Sequence, residues 1–499
     1  MVRQPPAEAI LAGAEIRAGR TLEVDVCVIG SGAGGAPAAK ELAEGGLRVA
    51  VLEEGVWESS ATFTARPREM TSRLYRDAGQ TVTVGDPPIV LPLGRAIGGT
   101  TLVNSGTCFR TPPKVLAKWR DELGFAPDLE AAFARVEEIV GVAEVPAELA
   151  GDNAAFVRAG AERLGLSGGF LRRNARGCVG SGVCAFGCPS GAKQHVGVTY
   201  MPLAWEAGAL TVTGARAERI VTRGGRIEAV TARTAGGGAL TVRCAHAIVA
   251  CGTLLTPLLL RRSGLGTASG QLGRNLSIHP ASAARAVLDH EIDPWRGVPQ
   301  SYYVDQLSDD GIMLEGISGP PDQSAMSTPR AGDEHRELML AAKRTATFGV
   351  MVSDTARGTV RSLAGRPLVR YDLHADDARR FQRGFTALAE IFFAAGARQV
   401  IVPIAGVPTL TDGDVTPLVN AIVKPRHLSL MAFHPLGTAR AGGDPRRSVV
   451  DPDLRLHGVE GVHVADGSVV PTSLGVNPQI TIMALATRLA KHLLDNARA

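Results

Sequence analysis

The first regular pattern along the chain runs from residue 22 to residue 54. Val24-Asp25-Val26-Cys27-Val28-Ile29 is a nearly unbroken apolar run, as expected of a strand buried on both faces. A glycine cluster follows, then residues 36–44, rich in helix formers, then a second apolar run, Leu47-Arg48-Val49-Ala50-Val51-Leu52. This predicts a βαβ unit, whose right-handed crossover makes the two strands parallel. Residues 55–115 read as loop with a second Gly-rich element inside, and helical segments are expected within 116–170, for example 129–140. From 210 to 250 the alternation is that of short antiparallel strands, at Leu210-Thr211-Val212, 217–222, 226–231 and 240–243. Ala247-Ile248-Val249-Ala250 then returns to a core strand. Residues 286–429 are mixed, with strands expected at 349–353, 359–362 and 368–372 and a helix near 379–395.

These elements predict an α/β protein, α+β overall. A Rossmann-like dinucleotide-binding domain is expected at 21–285, with a Cys- and Gly-rich insertion near 171–195. A substrate domain on a mostly antiparallel sheet is expected at 286–429, and a return to the first domain at 430–499. The 499 residues exceed what one hydrophobic core usually supports, which fits two domains. The 59 glycines suit many tight turns and close backbone approaches. A net charge of +4, with basic residues dispersed, speaks against a nucleic-acid partner. No apolar stretch is long enough for a transmembrane segment, and residues 1–13 lack a signal-peptide pattern. Seven cysteines, an odd number, argue against a disulfide scaffold and for a reducing, cytoplasmic location.

Gly30-Ser31-Gly32-Ala33-Gly34-Gly35 follows a strand and opens a helix, giving Gly-x-Gly-x-x-Gly at Gly30, Gly32 and Gly35. The first glycine permits the turn, the second lets backbone approach a pyrophosphate, and the third lets helix and strand pack closely. Glu53 ends the second strand, where an acid accepts hydrogen bonds from ribose hydroxyls. A glycine turn alone is a weak signal, but strand, helix, strand and terminal acid together point to a dinucleotide. They leave FAD and NAD both open.

Three further segments bear on that choice. Gly94-Arg95-Ala96-Ile97-Gly98-Gly99-Thr100-Thr101-Leu102-Val103-Asn104, followed by Arg110, resembles the flavin-contacting signature of the glucose–methanol–choline (GMC) oxidoreductases. His434-Pro435-Leu436-Gly437-Thr438 and Gly475-Val476-Asn477-Pro478 resemble that family's two active-site segments, and Gly273-Arg274-Asn275-Leu276 and 461–467 also match. The resemblance runs from about residue 24 to the C-terminus, is weak over 286–429, and is nearest in motif to the cholesterol oxidase and long-chain alcohol oxidase branch.

It implies an FAD-dependent oxidoreductase acting on the CH–OH group of a small-molecule alcohol, with oxygen or another acceptor taking the electrons. It places Arg95, Gly98, Gly99, Thr100 and Asn104 beside the flavin, and Asp466 and Gly467 near the phosphates or ribityl chain. Asn477-Pro478 would open a helix aimed at the flavin, with Pro at the first position. Some members carry FAD on a His just before the motif's Asn; Val103 stands there, so FAD is expected to be non-covalent.

The same resemblance makes His434 the catalytic base and Asn477 its partner, since an amide can orient an oxygen but cannot take a full proton. Glu315 is a possible counterpart of the assisting Glu of cholesterol oxidases, against its reading as a surface strand residue. His279, also in a family segment, is expected to be structural. Cys178, Cys184 and Cys188 allow either a three-iron cluster or a buried loop with free thiols. Other open readings are a nicotinamide-dependent dehydrogenase, a redox-silent FAD lyase and an electron-transfer flavoprotein.

Overall fold

The computed structural model describes residues 6–328 and 330–498. Strand β1 (Val26–Ile29), helix α1 (Gly35–Glu44) and strand β2 (Val49–Leu52) form the expected βαβ unit, and both strands are fully buried. They lie at the middle of a six-stranded sheet that also takes in Ile10–Ala12, Leu210–Thr213, His246–Val249 and Val462–Val464, all parallel. A Cβ on Gly35 would lie 1.8 Å from the Gly30 carbonyl oxygen, so only glycine lets α1 sit this close to the turn. A four-stranded sheet from Arg20–Glu23, Ala215–Arg223, Arg226–Thr234 and Ala239–Arg243 flanks this core.

The second large sheet is antiparallel. Its centre is β3 (Pro280–Val287), β4 (Ile312–Gly316) and β5 (Thr345–Val352), with β5 between the other two. Alternation along β5 assigns its faces. Ala346, Phe348, Val350 and Val352 are fully buried in one core with Phe381, Phe385 and Leu388 of the helix Ala375–Ala394, while Thr345, Thr347, Gly349 and Met351 line a cavity on the other side. The chain ends in helix α2 (Gln479–Arg498), which packs against α1.

Several local expectations shift. Leu210-Thr211-Val212 is no antiparallel strand; it pairs in parallel with residues 10–12 and 50–52. Its three-residue pattern carried no information on partner or direction, which distant strands supply. The parallel sheet already includes residues 10–12. The antiparallel sheet starts at Pro280 and borrows Gly168–Phe170, so neither sheet respects the expected limits at 21 and 285. A helix, Pro67–Leu74, forms where loop was expected, opened by Pro at its first position. Pro478 caps α2 instead of forming its first turn: its carbonyl accepts from the Ile482 N–H at 3.0 Å.

Candidate active site

One cavity of about 1290 Å³ is bordered by residues just past the carboxyl ends of four parallel strands: Gly30, Glu53, Ala250 and Asp466. That is where open α/β sheets bind ligands, and the volume exceeds the ~300–1,000 Å³ of an ordinary small-molecule site. The antiparallel sheet closes the other side with Ala281, Glu315, Gly349 and Met351. Gly32, Arg95, Gly99, Thr100, Asn104, Gly467, Asn477, Pro478 and His434 line the same space. Gly35 and Gly98 do not. Gly35 packs against the turn behind it, and a Cβ on Gly98 would meet the His195 ring nitrogen at 2.9 Å. Arg110 also points elsewhere, to Glu130 and Glu137.

The two Gly-rich turns face each other. A Cβ on Gly99 would lie 3.0 Å from the Gly32 Cα, so backbone approaches backbone as a flat or charged ligand requires. The buried Glu53 carboxylate accepts from Ser31 N (3.0 Å), Ser31 Oγ (2.6 Å) and Gly55 N (2.7 Å), and burial still pushes its pKa up. With about four acceptor directions, it keeps capacity for a ribose hydroxyl. Asp466 accepts from Gly252 N (2.9 Å), Ser468 N (2.8 Å) and the Thr256 hydroxyl, fixing the crossing of two strand ends.

The two active-site segments are built from the backbone upward. Leu436 N–H bonds to Ser277 O at 2.8 Å, and Gly437, at φ +90°, leaves no room for a side chain against Asn275 O. Thr253 donates to Pro435 O, and Thr438 donates to Thr253 O, both at 2.6 Å. His434 is thereby held with Nε2 3.4 Å from Asn477 Nδ2, which lies 3.5 Å from Glu315 Oε2. Burial holds the His434 pKa well below its ordinary value. Asn477 Oδ1, Glu315 Oε1 and His434 Nδ1 are buried with no partner among the described residues. Glu315 is therefore no surface strand residue: it is 4% exposed, on the cavity face of β4, and Gln300 Nε2 donates to it at 3.1 Å.

His279 has the structural role expected of it. Its Nε2 accepts from Leu474 N and Gly475 N, both at 2.9 Å, and its ring stands edge-on to His434 at 5.3 Å. The buried Asp354, which no sequence pattern marked, accepts from the Ile278 and His279 N–H groups and from Tyr371 and Ser473. Gln479, beside the Asn477-Pro478 pair, accepts from Asn104 Nδ2 at 2.9 Å and so ties the second Gly-rich element to α2.

The cysteine loop does not assemble a cluster. Cys178, Cys184 and Cys188 border a cavity of only about 10 Å³, room for at most a water molecule. The Arg173 guanidinium engages Cys184 at 3.2 Å, and Cys188 meets Ser190 at 3.3 Å. Among the described residues no group of three or more His, Cys, Asp or Glu is placed to hold a metal ion. The loop instead braces the second Gly-rich turn: buried Lys193 donates to Asn104 O (2.7 Å) and Cys184 O (2.8 Å).

Comparison with known proteins agrees with this geometry. The GMC oxidoreductase family profiles match residues 71–281 and 354–486, and an FAD binding domain profile matches 25–66. A GMC-type oxidoreductase of Mycobacterium tuberculosis is 44% identical over 472 residues, covering 93% of this chain and 75% of that one.

The chain belongs to the GMC oxidoreductase family.

This GMC protein is also 28% identical to a long-chain-alcohol oxidase of Arabidopsis thaliana over 515 residues, covering 95% of this chain and 68% of the relative. Its fold is that of pyridoxine 4-oxidase from Mesorbium loti, with TM-score 0.72 at 21% identity over 94% of this chain and 98% of that one. It is an FAD-dependent oxidoreductase. Val103, which lines the cavity, has no nucleophile for a covalent flavin link. Acid denaturation is therefore expected to release all the flavin into the supernatant, read by its absorbance; a washed pellet that stays yellow contradicts this.

Proposed function

We propose that this GMC oxidoreductase oxidises the CH–OH group of an alcohol to an aldehyde or ketone. The supporting observation is the convergence of His434 Nε2, Asn477 Nδ2 and Glu315 Oε2, at 3.4 and 3.5 Å, on the wall of the cavity that the dinucleotide turn also lines. Bound FAD supplies the acceptor for the hydride that leaves the carbinol carbon. His434 takes the hydroxyl proton at Nε2. Burial keeps that imidazole neutral, and the Asn477 amide donor facing it leaves the Nε2 lone pair as the acceptor. One Asn477 Nδ2 hydrogen stays on Glu315, and the other, which faces His434 Nε2 in the free site, turns to the substrate oxygen and frees Nε2 for the hydroxyl proton. Oxygen or another acceptor then takes the electrons. The name of the plant long-chain-alcohol oxidase agrees with this assignment. The seven unpaired thiols fit a reducing, cytoplasmic location.

Mixing the FAD-loaded protein with a panel of alcohols without oxygen tests the proposal: at least one class is expected to bleach the flavin. A flavin that stays oxidised with every alcohol would instead indicate a lyase or an electron carrier.

Glu315 gives the site a pH signature. Burial pushes its carboxyl up to about 7, against an ordinary value of 4.5, with the Asn477 hydrogen bond acting in the opposite direction. A carboxyl protonated more readily in the folded protein contributes stability that is full below about pH 4.5 and is lost as pH rises through about 7. The melting temperature of the wild type is expected to fall over that window relative to Glu315→Gln, which cannot ionise. Parallel melting curves across the window would show that Glu315 is not buried as described.

A further inference from the structure

Arg285 lines the cavity from β3 and is 4% exposed. A guanidinium this buried ordinarily sits against a carboxylate. Here its Nη2 reaches only neutral oxygens, Ser327 Oγ at 2.9 Å and Ser324 O at 3.4 Å, on the segment that covers the cavity. Among the described residues no acidic side chain pairs with it, and its Nε and Nη1 have no protein acceptor. Asp322, on the same covering helix as Ser324, is exposed and accepts from the Gln323 N–H. Burial alone draws the Arg285 pKa down to about 10, so it remains a cation at neutral pH.

Strand register fixes where this charge lies. Glu315 pairs with Gly349, Gly349 with Ala283, and Arg285 stands two residues beyond Ala283, opposite Thr347. Two residues along a strand return to the same face, so Arg285 and Glu315 share the cavity face of the sheet. Two strand spacings and two residue steps separate their Cα atoms by about 12 Å. Ala283 and Gly349 lie between them and leave a low floor for a ligand. The β3 residue nearer the catalytic segment is Ala281, which pairs with Met431, three residues before His434. Arg285 therefore marks the end of the floor remote from the chemistry.

We propose that Arg285 binds a carboxylate on the far end of an elongated alcohol substrate. This rests on alcohol oxidation at His434 and Asn477, and it narrows the substrate class to hydroxy acids with an apolar body. The hydroxyl lies at His434 and Asn477, and the carboxylate accepts a charge-assisted hydrogen bond from Nε or Nη1, the two donors that Ser327 and Ser324 leave free.

Decanoate, which has no hydroxyl to oxidise, tests the anion site without turnover. In calorimetric titration of the FAD-loaded protein, Arg285→Met is expected to weaken decanoate binding about 10- to 100-fold and to leave decan-1-ol binding unchanged. Arg285→Lys, which keeps the charge, is expected to recover part of the loss and guards against a folding defect. In anaerobic flavin reduction, the wild type is expected to prefer 10-hydroxydecanoate over its methyl ester, and Arg285→Met to abolish that preference. Equal decanoate binding by wild type and Arg285→Met overturns the anion site, whichever alcohols are oxidised. If decanoate binds through Arg285 but no alcohol bleaches the flavin, alcohol oxidation fails and the anion site stands.

Discussion

Replacing His434 by alanine is expected to slow alcohol-driven flavin reduction by about 10²–10⁴-fold, while the variant still purifies with its flavin. The size follows from the arrangement. The imidazole Nε2 faces the Asn477 amide at 3.4 Å, and that amide cannot accept a full proton. Glu315 bonds to the opposite side of that amide and is partly protonated near neutral pH. Neither group can replace an imidazole held neutral beside the substrate oxygen. The loss should appear in the single-turnover reduction rate, before any acceptor reoxidises the flavin. Retention of flavin is expected because the turn at Gly30, Gly32 and Gly34 and the anchors at Asp466 do not depend on the His434 ring. A variant with full flavin and near-normal reduction rate would remove His434 from the chemistry.

Gly34→Ala is expected to be nearly as damaging, through the backbone. A Cβ there would lie 1.5 Å from the Ala465 carbonyl oxygen and 2.6 Å from its carbon. Ala465 cannot easily withdraw: its N–H bonds to Val249 O at 2.9 Å, and the next residue is the buried Asp466. Either the N-terminus of α1 or the 465–466 segment must move. The cost is expected at or above the ~3 kcal/mol upper end of ordinary overpacking, and flavin content should drop to about a tenth or less. Gly19→Ala is the matched control, since a Cβ there meets nothing within 4 Å and should change stability by less than ~0.5 kcal/mol. Absorbance ratios and melting curves of the two variants decide the matter; indistinguishable results would mean that α1 tolerates the displacement.

What the sequence disclosed were positions tied to short, strict backbone geometry. The Gly30–Gly35 turn, the Gly98-Gly99 turn, the His434 segment and Asn477 could be read because each needs particular residues at adjacent positions. The fold class was legible for the same reason, since a buried βαβ unit leaves an unbroken apolar run on either side of a glycine turn. Glu315 could be read two ways because Met-Leu-Glu-Gly does not say which face of a strand is covered; Gly349 and Ala283, contributed by two other strands, settle that. Arg285 went unmarked within an alanine-rich run, and its meaning depends on the absence of an acid that only three-dimensional packing reveals. Leu210-Thr211-Val212 joined the wrong sheet for a related reason: three residues set a strand's length but not its neighbours. The cysteine spacing suggested metal binding, yet the intervening glycines fold so that an arginine and a serine engage two of the thiols.

One feature of the histidine pair governs how the enzyme meets acid. His279 Nε2 accepts two backbone N–H groups at once and cannot do so once protonated, and burial draws its pKa down to about 3. The loop that delivers Asn477 is thus insulated from proton uptake throughout mildly acidic and neutral solution. An inflection in a rate profile between about pH 5 and 8 therefore does not arise from protonation of His279.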